Sequence, residues 1–243
     1  MVAAGRRYLP RGWTDFWLQV VLWLGFYFSY LGVRSFADRD PSKAIVNGLR
    51  VIGIEQRISP NFIEHVFQRL ADSTGIGMTA VAWTYWNSEF SVIGLTLLFV
   101  YLRRHDRFAK FRNTVMLANV LGLIGYATLP TAPPWMFPSY GFLDGVNHSG
   151  LVSAMANPFA AMPSLHAADA LIVGISMVGA CRSRWAKAFW AFWPAWVWFC
   201  VMASANHFWL DVLAGIGVAL LAMVVVSKVP RLNGTRALIA NVL

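Results

Sequence analysis

Two short polar sequences interrupt long apolar runs: Met162-Pro163-Ser164-Leu165-His166, with Asp169 just beyond, and His207-Phe208-Trp209-Leu210-Asp211. A histidine and an aspartate four residues apart share one helix face, so the Asp211 carboxylate can accept a proton from one nitrogen of His207. The other nitrogen is then unprotonated, as a nucleophile requires. His166 is the candidate general acid for a leaving group. Pro163 suits the first position of a helix, which would turn free amides and the Ser164 hydroxyl toward an incoming anion. Nucleophile, orienting carboxylate, acid and anion cradle are the parts that phosphoryl transfer without a metal needs.

These residues must be positioned by apolar elements. The 243 residues are 58% hydrophobic and only 13% charged, too apolar for a soluble domain of this size. Windows of about 17–25 apolar residues predict spans at 15–33, 78–102, 114–129, 165–181, 185–203 and 207–226. The expected fold class is all-α: one polytopic membrane domain over 1–243, with six transmembrane helices and extracytoplasmic interfacial helices between the first two. His166 and His207 then stand at the mouths of two spans, with Asp211 one turn inside. An ionisable group so placed marks function.

Charge sets the orientation. Fourteen of the twenty basic residues fall on one side of a six-span path. They are Arg6, Arg7 and Arg11; Arg103, Arg104, Arg107, Lys110 and Arg112; Arg182, Arg184 and Lys187; and Lys228, Arg231 and Arg236. That side, with both termini, is expected to be cytoplasmic. Residues 129–162 contain no Lys or Arg, so the candidate catalytic groups are expected to face outward from a plasma membrane. The net charge of +9 follows from connectors flanking spans rather than from a nucleic-acid stripe. Cys181 and Cys200 lie near opposite ends of antiparallel spans, too far apart to bridge. Without a small-residue cleavage site after it, the first span reads as an uncleaved anchor.

Pro163-Ser164-Leu165-His166 and His207-x-x-x-Asp211, with Pro130-Thr131-Ala132-Pro133-Pro134 upstream, resemble the type 2 phosphatidic acid phosphatase superfamily, in particular its aureobasidin-resistance (inositol phosphorylceramide synthase) branch. The resemblance covers roughly 45–225. It implies that His207 attacks phosphorus to form a phosphohistidine, that Asp211 orients it, and that His166 protonates the departing oxygen. Two positions depart from the pattern. Val201 stands where the superfamily often has arginine six residues before the nucleophile, and Trp135 follows the paired prolines where the branch often has another. Both remove positive charge from the phosphate site.

The six remaining basic residues, Arg34, Arg39, Lys43, Arg50, Arg57 and Arg69, lie in the outer segment 34–77. There Ile45, Leu49 and Ile52, then Phe62, Val66, Phe67 and Leu70, recur at helical spacing and predict interfacial helices with apolar faces in lipid. Arg50 is the first candidate for the missing phosphate clamp; solvation or headgroup contact is the competing reading. Glu89 lies mid-span, four residues after Tyr85, and is neutral, paired or facing a polar cavity, where it could bind a substrate head. The branch is expected to carry histidine at that position, so no role carries over. Asp169 could orient His166, bind a substrate hydroxyl or simply bond a neighbouring helix. The loop to Ala161 is placed to act as a lid or substrate entrance, and Asn147-His148-Ser149 fits a glycosylation pattern.

The sequence thus predicts an enzyme acting on a lipid phosphate or phosphodiester, with water or an alcohol (inositol-like or glycosyl) resolving the intermediate. Metal-dependent hydrolysis through His166, His207, Asp211 and Asp169 is one alternative. A non-catalytic lipid-binding or transport protein, or a membrane-complex subunit, is another. No nucleotide-binding glycine loop is present, and no cofactor is expected.

Overall fold

The computed structural model describes residues 9–37, 40–146 and 158–229. Among them the chain is helical: α1 (Gly12–Ala37), α2 (Pro41–Ile58), α3 (Ile63–Asp72), α4 (Gly77–Ser88), α5 (Ser91–Arg103), α6 (His105–Thr128), α7 (Leu165–Ala180), α8 (Arg184–Ala203) and α9 (Trp209–Lys228). Two single 3-10 turns, Pro134–Met136 and Pro138–Tyr140, lie between α6 and α7, and the extended chain there makes one isolated bridge, Thr131 to Ala160. The all-α expectation holds.

Each predicted span falls on helix, but the second is not one helix. α4 stops at Ser88 and α5 starts at Ser91, leaving Glu89 and Phe90 between them. The Ser91 hydroxyl hydrogen bonds with Asn87 Oδ1 across the break (3.1 Å). Hydropathy averages over such a break and cannot see it. Among the described residues α9 alone is long and apolar enough to cross a membrane, while α5 and α7 are apolar but shorter. Six crossings therefore remain an expectation that helix length does not carry.

α7 is the centre of the bundle, packed along α8, α9 and α6. Ala118, Leu165, Ala168, Ile172, Val197, Val201, Ala219 and Ala222 belong to this core. Small residues set the approach. Gly122 faces Leu165, Gly125 faces the Pro163 ring, and Gly174 faces Pro194 and the Trp190 carbonyl. At Gly215 a β-carbon would collide with the Ser164 carbonyl, whereas nothing lies within 4 Å of the same position on Gly217. Of the two glycines, only Gly215 serves close packing. α8 runs unbroken through Pro194 from Arg184 to Ala203.

Basic residues of the α5–α6 connection lie against the end of α7. Arg104 Nε donates to the Ala180 carbonyl at the end of α7 (3.0 Å), and Arg107 lies over Gly179. The Tyr101 hydroxyl donates to Asp15 at the start of α1 (3.0 Å). Ser164, which starts α7, meets the start of α9 at the opposite end, where Ser164 N donates to the Asp211 carbonyl (3.0 Å).

α2 and α3 cover that second end. Asp40 caps α2 through Lys43 N (2.9 Å), with Pro41 in the first turn. Their patterning is inverted. α2 buries Ala44, Asn47, Gly48 and Glu55 with Val51 and Ile52, and α3 buries Glu64 and Gln68, while Leu49, Ile54, Ile58, Ile63, Val66 and Leu70 are exposed. Of the residues expected to face lipid, Leu49, Val66 and Leu70 are exposed, but Ile52 and Phe62 are buried, and Arg50, Arg57 and Arg69 share the outer surface.

Candidate active site

The site begins at the turn Ser204-Ala205-Asn206 between α8 and α9. Ala205 takes a left-handed φ of 57°, a conformation that disfavours any β-carbon. It is held from both sides. The Val201 carbonyl accepts Asn206 N (3.2 Å) and His207 N (3.1 Å), and Trp135 N donates to the Ala205 carbonyl (3.0 Å). Val201 and Trp135, the positions lacking the expected arginines, both abut this turn through backbone.

The turn delivers His207 almost fully buried, with Nδ1 2.8 Å from the Ala161 carbonyl oxygen. A carbonyl only accepts, so Nδ1 carries the hydrogen, and in the neutral ring the lone pair is then on Nε2. The partner differs from the one expected. Asp211 Oδ2 stands 3.7 Å from Nδ1, beyond hydrogen-bond length, and instead accepts Phe208 N (2.8 Å). Asp211 therefore caps its own helix with its carboxyl beside the imidazole, while Ala161 fixes the ring.

His166 sits one residue into α7. Its ring stacks on Tyr85 (4.6 Å between centroids, 16° between planes), and its centroid is 5.6 Å from that of His207. Its Nε2 lies 3.4 Å from Glu89 Oε2. The α4–α5 break thus places Glu89 as a partner of His166, one of the readings open from sequence.

Asp169 turns elsewhere. Both of its oxygens accept Asn119 Nδ2 (3.0 Å each), which also donates to the Val115 carbonyl (2.9 Å). This is a bond between α7 and α6, not an orienting contact to His166. Asp169, Asn119 and Glu89 line a small cleft walled by Trp23, Phe26 and Tyr27 of α1.

Ser164 is the N-cap of α7: its Oγ accepts Ala167 N (3.2 Å), and its own amide is taken by the Asp211 carbonyl. Pro163 therefore precedes the cap rather than opening the helix, and the Ser164 amide is not free for an anion. Leu165 and His166 retain amides with no protein acceptor among the described residues. Arg50 lies on the exposed side of α2 with Nη1 on Asn47 Oδ1 (3.3 Å). Asn47 in turn donates to the Pro130 carbonyl (2.8 Å). The Asn147-His148-Ser149 pattern lies outside the described residues.

Two acids missed by the sequence reading meet at the start of α9. Glu64 Oε1 accepts Trp209 N (2.7 Å) and Glu55 Oε1 accepts Leu210 N (3.1 Å). With Asp211 on Phe208 N, three carboxyl groups at 0–1% exposure cover three successive amides. Burial pushes Glu55 up to about 9, reinforced by the charges of Glu64 and Asp211. Burial likewise pushes Glu64 up to about 7, with Asp211 adding to the rise. The legible signal was their place in the helical period: Glu55 falls three residues after Ile52 and Glu64 four before Gln68, on the faces that turn inward. Among the described residues no group of three or more His, Cys, Asp or Glu is arranged to hold a metal ion.

The profile of the PAP2 superfamily matches residues 49–225. Over 150 residues the chain is 32% identical to a phosphoinositol dihydroceramide synthase of Bacteroides thetaiotaomicron, a match covering 54% of this chain and 48% of that protein. The chain spans about half the length of that relative. No solved structure matches significantly.

Proposed function

Because the chain belongs to the PAP2 superfamily and resembles its inositol phosphorylceramide synthase-like branch, we propose that it is a membrane-embedded enzyme that transfers a phosphoryl-bearing group from a lipid donor through a phosphohistidine at His207. The observation that carries this reading is the pairing of two imidazoles 5.6 Å apart, one of them with a single nitrogen fixed on a carbonyl.

In the first step the Nε2 lone pair of His207 forms a bond to phosphorus as the phosphorus–oxygen bond to the leaving group breaks. His166 gives that oxygen its proton. Glu89 steadies the charge of His166, and Ala161 keeps the Nδ1 hydrogen of His207 in place. In the second step an acceptor hydroxyl loses its proton to His166, its oxygen bonds phosphorus, and the phosphorus–nitrogen bond breaks. The free amides of Leu165 and His166 at the start of α7 suit the non-bridging phosphate oxygens. That the Bacteroides relative is a phosphoinositol dihydroceramide synthase favours an alcohol acceptor carried by a lipid over water.

The whole chain acts as one membrane domain with six crossings, both termini cytoplasmic and the histidines extracytoplasmic. Supporting this are Arg104 and Arg107 at the end of α7 away from His166 and His207, and the exposed apolar residues on α1, α5, α8 and α9, among them Trp17, Phe28, Leu95, Phe192 and Leu221.

Purified protein incubated with a labelled lipid phosphodiester is expected to give an acid-labile phosphoenzyme, absent in His207→Ala. In His166→Ala turnover should fall by about 10²–10⁴-fold. Adding a lipid alcohol should divert product from hydrolysis to transfer. Failure to trap any phosphoenzyme under single-turnover conditions would sink the covalent route.

A further inference from the structure

We propose that Glu55 and Glu64 are positioning residues of the His207 centre, acting through the first amides of α9. The inference rests on the phosphoryl-transfer reading above and adds to it two residues from helices that carry none of the family motifs.

A helix start is ordinarily a place for an anion, because its first amides lack partners within the helix. Here that place is filled by the protein itself. Glu64 reaches Trp209 N and Glu55 reaches Leu210 N across 145 and 155 residues of chain, so the two surface helices are tied directly to the element beginning two residues after the nucleophile. A substrate phosphate cannot use this helix start and is left to the start of α7, on the other side of His166. The ties also fix where Asp211 and the His207 backbone lie relative to Ala161, which sets the direction of Nε2.

The ties work through neutral or proton-sharing acids. The titratable groups meeting at this point are Glu55 from α2, Glu64 from α3, and Asp211 and His207 from the start of α9. His65, beside Glu64, turns its ring onto Phe62 and Phe142 instead. Glu55 Oε2, Glu64 Oε2 and Asp211 Oδ1 are buried with no hydrogen-bond partner among the described residues. Three full negative charges so close in a buried site would repel strongly. The required atom is the accepting oxygen, which an amide side chain also provides.

The test compares Glu55→Gln and Glu64→Gln with Glu55→Ala and Glu64→Ala in the full-length protein, reading turnover against pH and hydrogen exchange of the 208–211 amides. Each Ala variant is expected to lower kcat tenfold or more with little change in KM, and to speed exchange. Each Gln variant should keep kcat within about twofold of wild type and hold activity to higher pH than wild type, with unchanged exchange. Gln variants as damaged as Ala, or folded Ala variants with wild-type kcat, would overturn the proposal. If the Ala variants do not fold, the alkaline limb of the Gln profiles decides: an unmoved limb counts against it. A wild type with no phosphoryl transfer instead sinks the functional reading, and the exchange pattern still decides whether the two acids hold α9.

Discussion

At the residue scale the site is two imidazoles, each tied by a different group. His207 leans on a backbone carbonyl and His166 on Glu89, so the two can be disturbed separately. Glu89→Gln is expected to lower kcat by about tenfold, roughly the loss of one weak charge interaction, while leaving KM nearly unchanged. A raised KM with intact kcat would show instead that Glu89 binds the substrate head. Ala205 supplies a second test, because its φ of 57° admits glycine and penalises a β-branched residue. Ala205→Val should cost about 1–3 kcal/mol in unfolding free energy more than Ala205→Gly, measured by denaturation in detergent. The residue types at 166, 207 and 211 were legible from their motifs, although His207 precedes the Phe208 cap of α9 and so shares no helix face with Asp211. Ala161 was not, because a carbonyl partner has no residue-type signature. A bond from Asp169 to a neighbouring helix was among the readings, but its partner Asn119, 50 positions away, was not.

At the element scale, α7 and α9 start against each other, and Gly215 is what permits it. Any β-carbon there meets the Ser164 carbonyl, the same residue whose amide binds the Asp211 carbonyl. Gly215→Ala should therefore destabilise by about 1–3 kcal/mol through overpacking and reduce turnover by parting the two histidines. Gly217→Ala, facing open space, should match wild type in both; equal effects would remove the distinction. Helix positions were readable from apolar runs because burial and lipid exposure both demand apolar side chains. The α4–α5 break was not, since Ser88, Glu89 and Phe90 carry no proline or glycine to announce it. Glu55 and Glu64 went unremarked, because each finds its partner amide in α9 145 or more positions along the chain.

At the scale of the whole molecule, the buried acids link stability to pH. Glu55 and Glu64 bind their protons more tightly folded, at about 9 and about 7, than the ordinary 4.5 of the unfolded chain. Their contribution to stability is fully present below pH 4.5 and fades as pH climbs through those values. The unfolding temperature should therefore decline between pH 5 and 9 in wild type and decline less in the Glu55→Gln, Glu64→Gln double variant, by thermal scanning in detergent. Orientation is tested by single cysteines in a cysteine-free background. One at Leu143 should react with an impermeant maleimide in intact cells, and one at Arg182 only after permeabilisation; the reverse pattern would invert the proposed topology.

Arg104 and Arg107 lie at the end of α7 opposite His166, and on the proposed topology this separation governs supply. The chemistry would then be confined to one leaflet, and a donor assembled on the cytoplasmic side would reach His207 only after a separate translocase or scramblase had turned it over. The rate of flipping, rather than the rate of bond making, would then set the flux through this protein in a living cell.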